Sequence, residues 1–89
     1  MERIVDRVKK AHHDSPDVLI GKKGLTEDVL KEIDNRLKKK EVVKVKMLRT
    51  AVESGRARKE MAKKVASLLG ARLMGVRGRT FVLYRPKKK

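Results

Sequence analysis

Cysteine is absent from this chain, which removes a disulfide framework, a zinc–thiolate site and thiol catalysis. Tryptophan is absent too, and Phe81 and Tyr84 are the only aromatic residues. A sheet surface that stacks successive bases on several aromatic rings is therefore poorly supplied. Long apolar runs are missing: the longest nearly apolar stretch, Val65 to Ala71, has 7 residues and contains Ser67 and Gly70. A bilayer span needs roughly 18–20. The opening Met1-Glu2-Arg3-Ile4-Val5-Asp6 carries charge where a signal peptide needs an apolar core. A soluble, cytoplasmic domain is expected, and 89 residues leave room for a single core.

What the chain has in excess is positive charge. It carries 26 Lys+Arg against 11 Asp+Glu, a formal charge of +15. Residues 1–35 hold 7 of the basic and 8 of the acidic residues, whereas residues 36–89 hold 19 and 3, a local net of +16. Small basic proteins often carry solvated lysines without a specific role. A net of +16 over these 54 residues repels itself, however, and a polyanion partner relieves that repulsion.

Periodicity gives the element order. Ile4, Val5, Val8 and Ala11 fall at helical spacing over about residues 2–12, and Pro16 closes that segment. Asp17-Val18-Leu19-Ile20, bounded by Pro16 and Gly21, reads as a short buried strand. Thr26 is a candidate N-cap with Glu27 and Asp28 in the first turn. Val29, Leu30, Ile33 and Leu37 form the apolar stripe of the helix that follows, with Lys38, Lys39 and Lys40 at its C-terminal end. Glu41 to Leu48 alternates Val43, Val45 and Met47 against Lys44 and Lys46, the pattern of a strand with one wet face. Residues 51–55 read as a loop. A third helix over about 56–69 places Met61, Val65 and Leu68 on one face, and Gly70 is a good C-terminal cap. Residues 71–77 and 80–85 read as a hairpin around Gly78, and Lys87-Lys88-Lys89 as a basic tail after a domain spanning residues 1–86. The expected fold is a single compact α/β domain of order α-β-α-β-α-β-β, with three helices and a mixed four-stranded sheet.

The sharpest local motif is Gly21-Lys22-Lys23-Gly24, set between a strand and a helix start. Glycine allows close approach of backbone to ligand, a helix N-terminus favours phosphate, and two lysines add charge. A GxxG loop of this kind clamps a nucleic-acid backbone in KH modules. Spacing alone is weak, since 6 glycines give about 0.4 such pairs by chance, and Gly75-Val76-Arg77-Gly78, read as part of the hairpin, is a second match. The nucleotide-hydrolysing P-loop and the dinucleotide fingerprint need other glycine patterns. His12 and His13 are adjacent, diverge by about 100° on a helix and make a poor metal pair, so they read as helix-end residues. No catalytic constellation, cofactor or metal site is expected. Phe81 with Leu83 and Val82 with Tyr84 occupy opposite faces of the last strand, and one pair is expected in the core. The candidate phosphate-contacting set is Gly21, Lys22, Lys23 and Gly24 in the loop, Lys44 and Lys46 on the middle strand, and Arg56, Arg58, Lys59, Lys63 and Lys64 on the third helix.

Val18-Leu19-Ile20-Gly21-Lys22-Lys23-Gly24-Leu25-Thr26-Glu27, then Val29-Leu30, Glu32-Ile33, Val43-Lys44-Val45-Lys46, Gly78 and Leu83-Tyr84-Arg85-Pro86 together resemble the CRM domain. The name denotes chloroplast RNA splicing and ribosome maturation, and free-standing prokaryotic members are called YhbY-like. Ala11-His12-His13 is similar to the ending of the family's first helix. The resemblance runs from about residue 3 to residue 86. It implies a fold related to the C-terminal domain of initiation factor three, with KH-like features, and an RNA-contacting loop at Gly21 to Gly24. It also implies association with ribosomal RNA in large-subunit precursors. Contacts between Arg49 and Lys64 rest on charge alone. A monomer is expected, with no membrane partner, since no helix has the bulky aromatic face that surface anchors favour. A permanent ribosomal protein and an intron-splicing or tRNA-processing cofactor are the alternative readings.

Overall fold

The structure, a computed structural model, describes residues 3–48 and 55–86. Its order is α1 (Ile4–His13), β1 (Val18–Ile20), α2 (Glu27–Lys40), β2 (Val42–Met47), α3 (Gly55–Leu69), β3 (Arg72–Arg77) and β4 (Thr80–Tyr84). Apart from Gly55, which opens α3, the loop expected at 51–55 lies outside the described residues, as does the tail at 87–89. The strands form one sheet in the order β1-β2-β4-β3. β1 runs parallel to β2, while β4 is antiparallel to both β2 and β3, so the sheet is mixed.

α2 forms where the sequence specifies it. The Thr26 hydroxyl accepts a hydrogen bond from the Val29 amide at 3.2 Å, and Glu27 and Asp28 occupy the first turn. Losing such a cap costs about 1 kcal/mol. Ile33 and Leu37 are fully buried, with Val29 and Leu30 packed beside them. On the same side of the sheet, α3 contributes Ala62, Val65 and Ala66. These meet Val18, Ile20, Val43, Val45, Met47, Phe81 and Leu83 to form the main core. Truncating a side chain such as Leu37 to alanine there costs about 2–5 kcal/mol. Arg85 closes the far end, donating to the Asp34 carboxylate at 2.7 Å and to the Leu69 carbonyl at 2.8 Å.

α1 packs on the other side of the sheet, where Val8 and Ala11 meet Val42 and Val82, with Ile4, Met74 and Tyr84 alongside. This cover changes three sequence expectations. Both residue pairs of β4 are packed, Phe81 and Leu83 against α2 and α3, and Val82 and Tyr84 against α1. β2 does not have a wet face along its length, because Val42 and Lys44 lie under α1 and only Lys46 is exposed. Lys44 is therefore removed from the basic surface assigned to it. Its residual exposure is 8%, and its Nζ donates to the carbonyls of His12 at 2.9 Å and Asp14 at 2.7 Å. Two further side chains expected in apolar stripes, Val5 and Leu68, are exposed. Each sits at the margin of its helix stripe, while Val8 with Ala11 and Val65 with Leu69 point inward.

Lys44→Met keeps the aliphatic stem but strands two carbonyls at the end of α1. It should cost about 1–3 kcal/mol, read as a lower urea midpoint with an unchanged m-value.

Candidate nucleic-acid interface

The loop 21–24 is a hydrogen-bonded turn in which the Gly24 amide donates to the Gly21 carbonyl at 2.9 Å. Lys22 and Lys23 have negative φ, since Glu41 is the only non-glycine residue with positive φ among the described residues. That leaves type I geometry, which favours glycine at its last position. Gly24 has φ +73, and a Cβ there would meet nothing within 4 Å. Its requirement is conformational, not spatial. Gly21 differs: a Cβ there would lie 3.8 Å from Leu48 Cδ1, an ordinary contact. Ile20 on one side is fully buried and Leu25 on the other packs on the main core, so the turn is held at both ends. Lys22 and Lys23 are exposed at its tip.

The start of α2 adds less than its position suggests. Thr26 already caps one amide, and the carboxylates of Glu27 and Asp28 already offset the helix dipole. The attraction for an anion at this turn comes from the two lysines.

Other segments join the turn at this end of the sheet. The Leu48 amide donates to the Ile20 carbonyl at 2.9 Å, and the Met47 amide to the Arg79 carbonyl at 2.7 Å. The turn 21–24, the end of β2 with Lys46, and the β3–β4 turn with Arg77 and Arg79 are thus neighbours. Lys46, Arg77 and Arg79 are all exposed. The two arginines were not singled out from the sequence, where they read as hairpin residues. The pattern Arg-Gly-Arg at the tip of a hairpin was the available signal.

On α3, Arg56, Lys59, Lys63 and Lys64 are exposed and fall on the side away from the sheet at 100° per residue. Arg56 pairs with Glu60 at 3.2 Å in an exposed bridge, an interaction of little net strength. Arg58 is half-buried on the inner flank, apart from that stripe. The structure therefore brings together Gly21, Lys22, Lys23, Gly24 and Lys46. It sets the outward α3 stripe apart from them, with Arg58 on neither surface.

Two titrating groups frame the sheet. Burial lowers the pKa of His12, reinforced by the positive charges of Arg77, Lys44 and His13. Its Nδ1 is buried without a hydrogen-bond partner in the described structure. At the far end, the hydrogen bond from Arg85 lowers the Asp34 carboxyl against the opposing effect of burial, with Lys38 adding to the lowering. No cluster of three or more metal-ligating side chains exists among the described residues. No helix among them is long and apolar enough to cross a membrane.

The fold and this end of it define a small α/β module with one group of exposed cations on a glycine-fixed turn and the strand ends beside it, and a second along the outer face of α3. The chain belongs to the CRS1 / YhbY (CRM) domain family, whose model matches residues 3–85. MJ0652 of Methanocaldococcus jannaschii, which carries the name of a candidate RNA-binding protein, is 38% identical over 79 residues. That match covers 89% of this chain and 58% of the relative, so the chain spans little more than half of that protein's length. A Haemophilus influenzae protein named RNA-binding protein is 35% identical over 79 residues, covering 89% of this chain and 77% of that one. The solution structure of SAV1595 from Staphylococcus aureus, a hypothetical protein and candidate RNA-binding protein, superposes with a TM-score of 0.77 at 31% identity. It covers 93% of this chain and 84% of that one.

Gly24→Ala should cost about 1–2 kcal/mol, because the left-handed region disfavours a Cβ, while Gly21→Ala should leave the urea midpoint nearly unchanged. The His12 shift carries its own prediction. The unfolded imidazole titrates near 6.5 and the folded one lower, so the unfolded chain takes up the proton first. Stability is complete above about 6.5 and falls as the pH drops through the folded value. Thermal melts between about pH 7 and pH 5 should show a smaller loss in His12→Asn than in the wild type.

Proposed function

We propose that this chain is a non-catalytic RNA-binding protein that acts on ribosomal RNA in precursors of the large ribosomal subunit. The observation that carries the RNA reading is the exposed Lys22–Lys23 pair on a turn fixed by Gly24, with Lys46, Arg77 and Arg79 beside it. The RNA-binding names of its relatives support RNA as the polyanion. The ribosomal assignment follows the role that the CRM resemblance implies.

In this mechanism the turn presents Gly21 and Gly24 so that a phosphate backbone can approach the main chain, and Lys22 and Lys23 neutralise it. Lys46, Arg77 and Arg79 extend the contact along the end of the sheet. The outward stripe of α3, Arg56, Lys59, Lys63 and Lys64, attracts RNA at longer range. With so few aromatic residues, and both of them packed, phosphate contacts dominate the affinity.

The test is a titration of a large-subunit rRNA fragment with the wild type and with Lys22→Asp/Lys23→Asp, each checked for folding. If about 5 phosphates are neutralised, wild-type affinity should fall about 100-fold between 50 and 200 mM salt. The double variant should bind at least about tenfold more weakly, with a shallower salt slope. A flat salt response, or unchanged binding by the folded variant, sinks the proposal.

A further inference from the structure

α1 stops at His13 and, among the described residues, leaves one row of the sheet uncovered. Leu19 of β1 pairs with Lys46 of β2, Lys46 with Thr80 of β4, and Thr80 with Arg77 of β3. These four residues occupy one lateral row on the face that carries α1. The next row, Lys44, Val82 and Gly75, lies beneath the end of that helix. There Gly75 has φ +149, and a Cβ on it would come 3.2 Å from the His12 Nε2. The imidazole is thus pressed against β3 and walls the open row on one side. The turn 21–24 and the β3–β4 turn bound it on the other.

The chemistry of this row is mixed. Leu19 is 53% exposed in the middle of a three-residue strand, and Leu48, next to Gly21, is 38% exposed. Lys46 and Arg77 are exposed in the same row. Four strands at about 4.8 Å spacing make it about 14 Å wide. An apolar side chain flanked by cations complements a ligand with flat apolar groups on an anionic backbone. A duplex keeps the faces of its bases stacked inside and presents phosphates, 2′-hydroxyls and base edges, none of them the flat apolar face that Leu19 would meet. A single strand can lay a base on Leu19 and another on the Arg77 guanidinium plane while Lys46 meets the phosphate between them.

We propose that the Leu19–Lys46–Thr80–Arg77 row seats single-stranded RNA and makes this protein select an unpaired strand over a duplex. The inference rests on the RNA reading above and deepens it by naming the form of RNA.

The test uses fluorescence anisotropy with a labelled oligouridylate and a blunt RNA duplex carrying the same number of phosphates. The wild type should prefer the strand. Leu19→Ser should weaken strand binding about five- to tenfold, leave duplex binding unchanged and leave the salt slope unchanged, since no phosphate contact is lost. Leu19→Thr, which keeps β-propensity, should behave the same way and guards against a folding artefact. Lys46→Ser should weaken both probes and reduce the salt slope by about 0.7. Equal effects of Leu19→Ser on the two probes, or no effect on either, overturn the inference and leave the row to a protein partner. The Lys22→Asp/Lys23→Asp variant separates the two failures. If the wild type binds neither probe, the RNA reading itself fails. If it binds both equally and the loop variant binds neither, the RNA reading stands and the single-strand seat falls.

Discussion

The ammonium of Lys44 lies where few lysines lie, beneath a helix and against a sheet, and much of the architecture is arranged around it. A buried cation is costly unless its donors are satisfied. Here two carbonyls at the end of α1, those of His12 and Asp14, accept from it. The backbone of the same residue donates to the Asp17 carboxylate at 3.0 Å, and its carbonyl accepts from the Asp17 amide at 2.8 Å. Lys40 completes the network by pairing with Asp17 at 2.6 Å. One residue of the central strand therefore fixes where α1 stops, where β1 begins and how the link between them runs. The extent of uncovered sheet and the position of the turn after β1 both follow from that.

Charge is distributed to the same effect. Asp17, Asp34 and Glu41 are neutralised by Lys40, by Arg85 with Lys38, and by Arg7. These pairs lie along α2 and at the start of β2, away from the turn 21–24. At the turn end, Glu27 and Asp28 are committed to the first turn of α2, while Lys22, Lys23, Lys46, Arg77 and Arg79 face solvent. Exposed cations also line the outer face of α3 and the C-terminal end of α2, so the turn end is distinguished by its glycine-fixed loop and not by charge alone.

The element order, the Thr26 cap, the α2 stripe and the hairpin around Gly78 were legible in the sequence because each rests on short-range rules. Helical spacing, a hydroxyl three residues before the amide it caps, and glycine at positive φ leave local marks. The turn 21–24 was legible for the same reason. Lys44 was not, because alternation in a strand assigns it to water and only the three-dimensional return of α1 covers it. Arg77 and Arg79 were missed because their significance is a matter of neighbours. Nothing local brings a hairpin tip to the end of β2, whereas the antiparallel pairing of β2 with β4 does. Val5 and Leu68 show the limit of apolar periodicity, since a stripe gives a direction but not its edges.

The two ends of the described chain lie toward the same end of the strands, on opposite faces of the sheet. Ile4 packs near Tyr84 and Val42, and Arg85 is held against Asp34 and the Leu69 carbonyl, both remote from the turn 21–24. Polypeptide joined before α1 or after Pro86 would therefore leave from the end opposite the turn 21–24. Such a module can be strung in series or appended to other domains like beads whose working faces all remain outward. Longer proteins could carry it without rebuilding it.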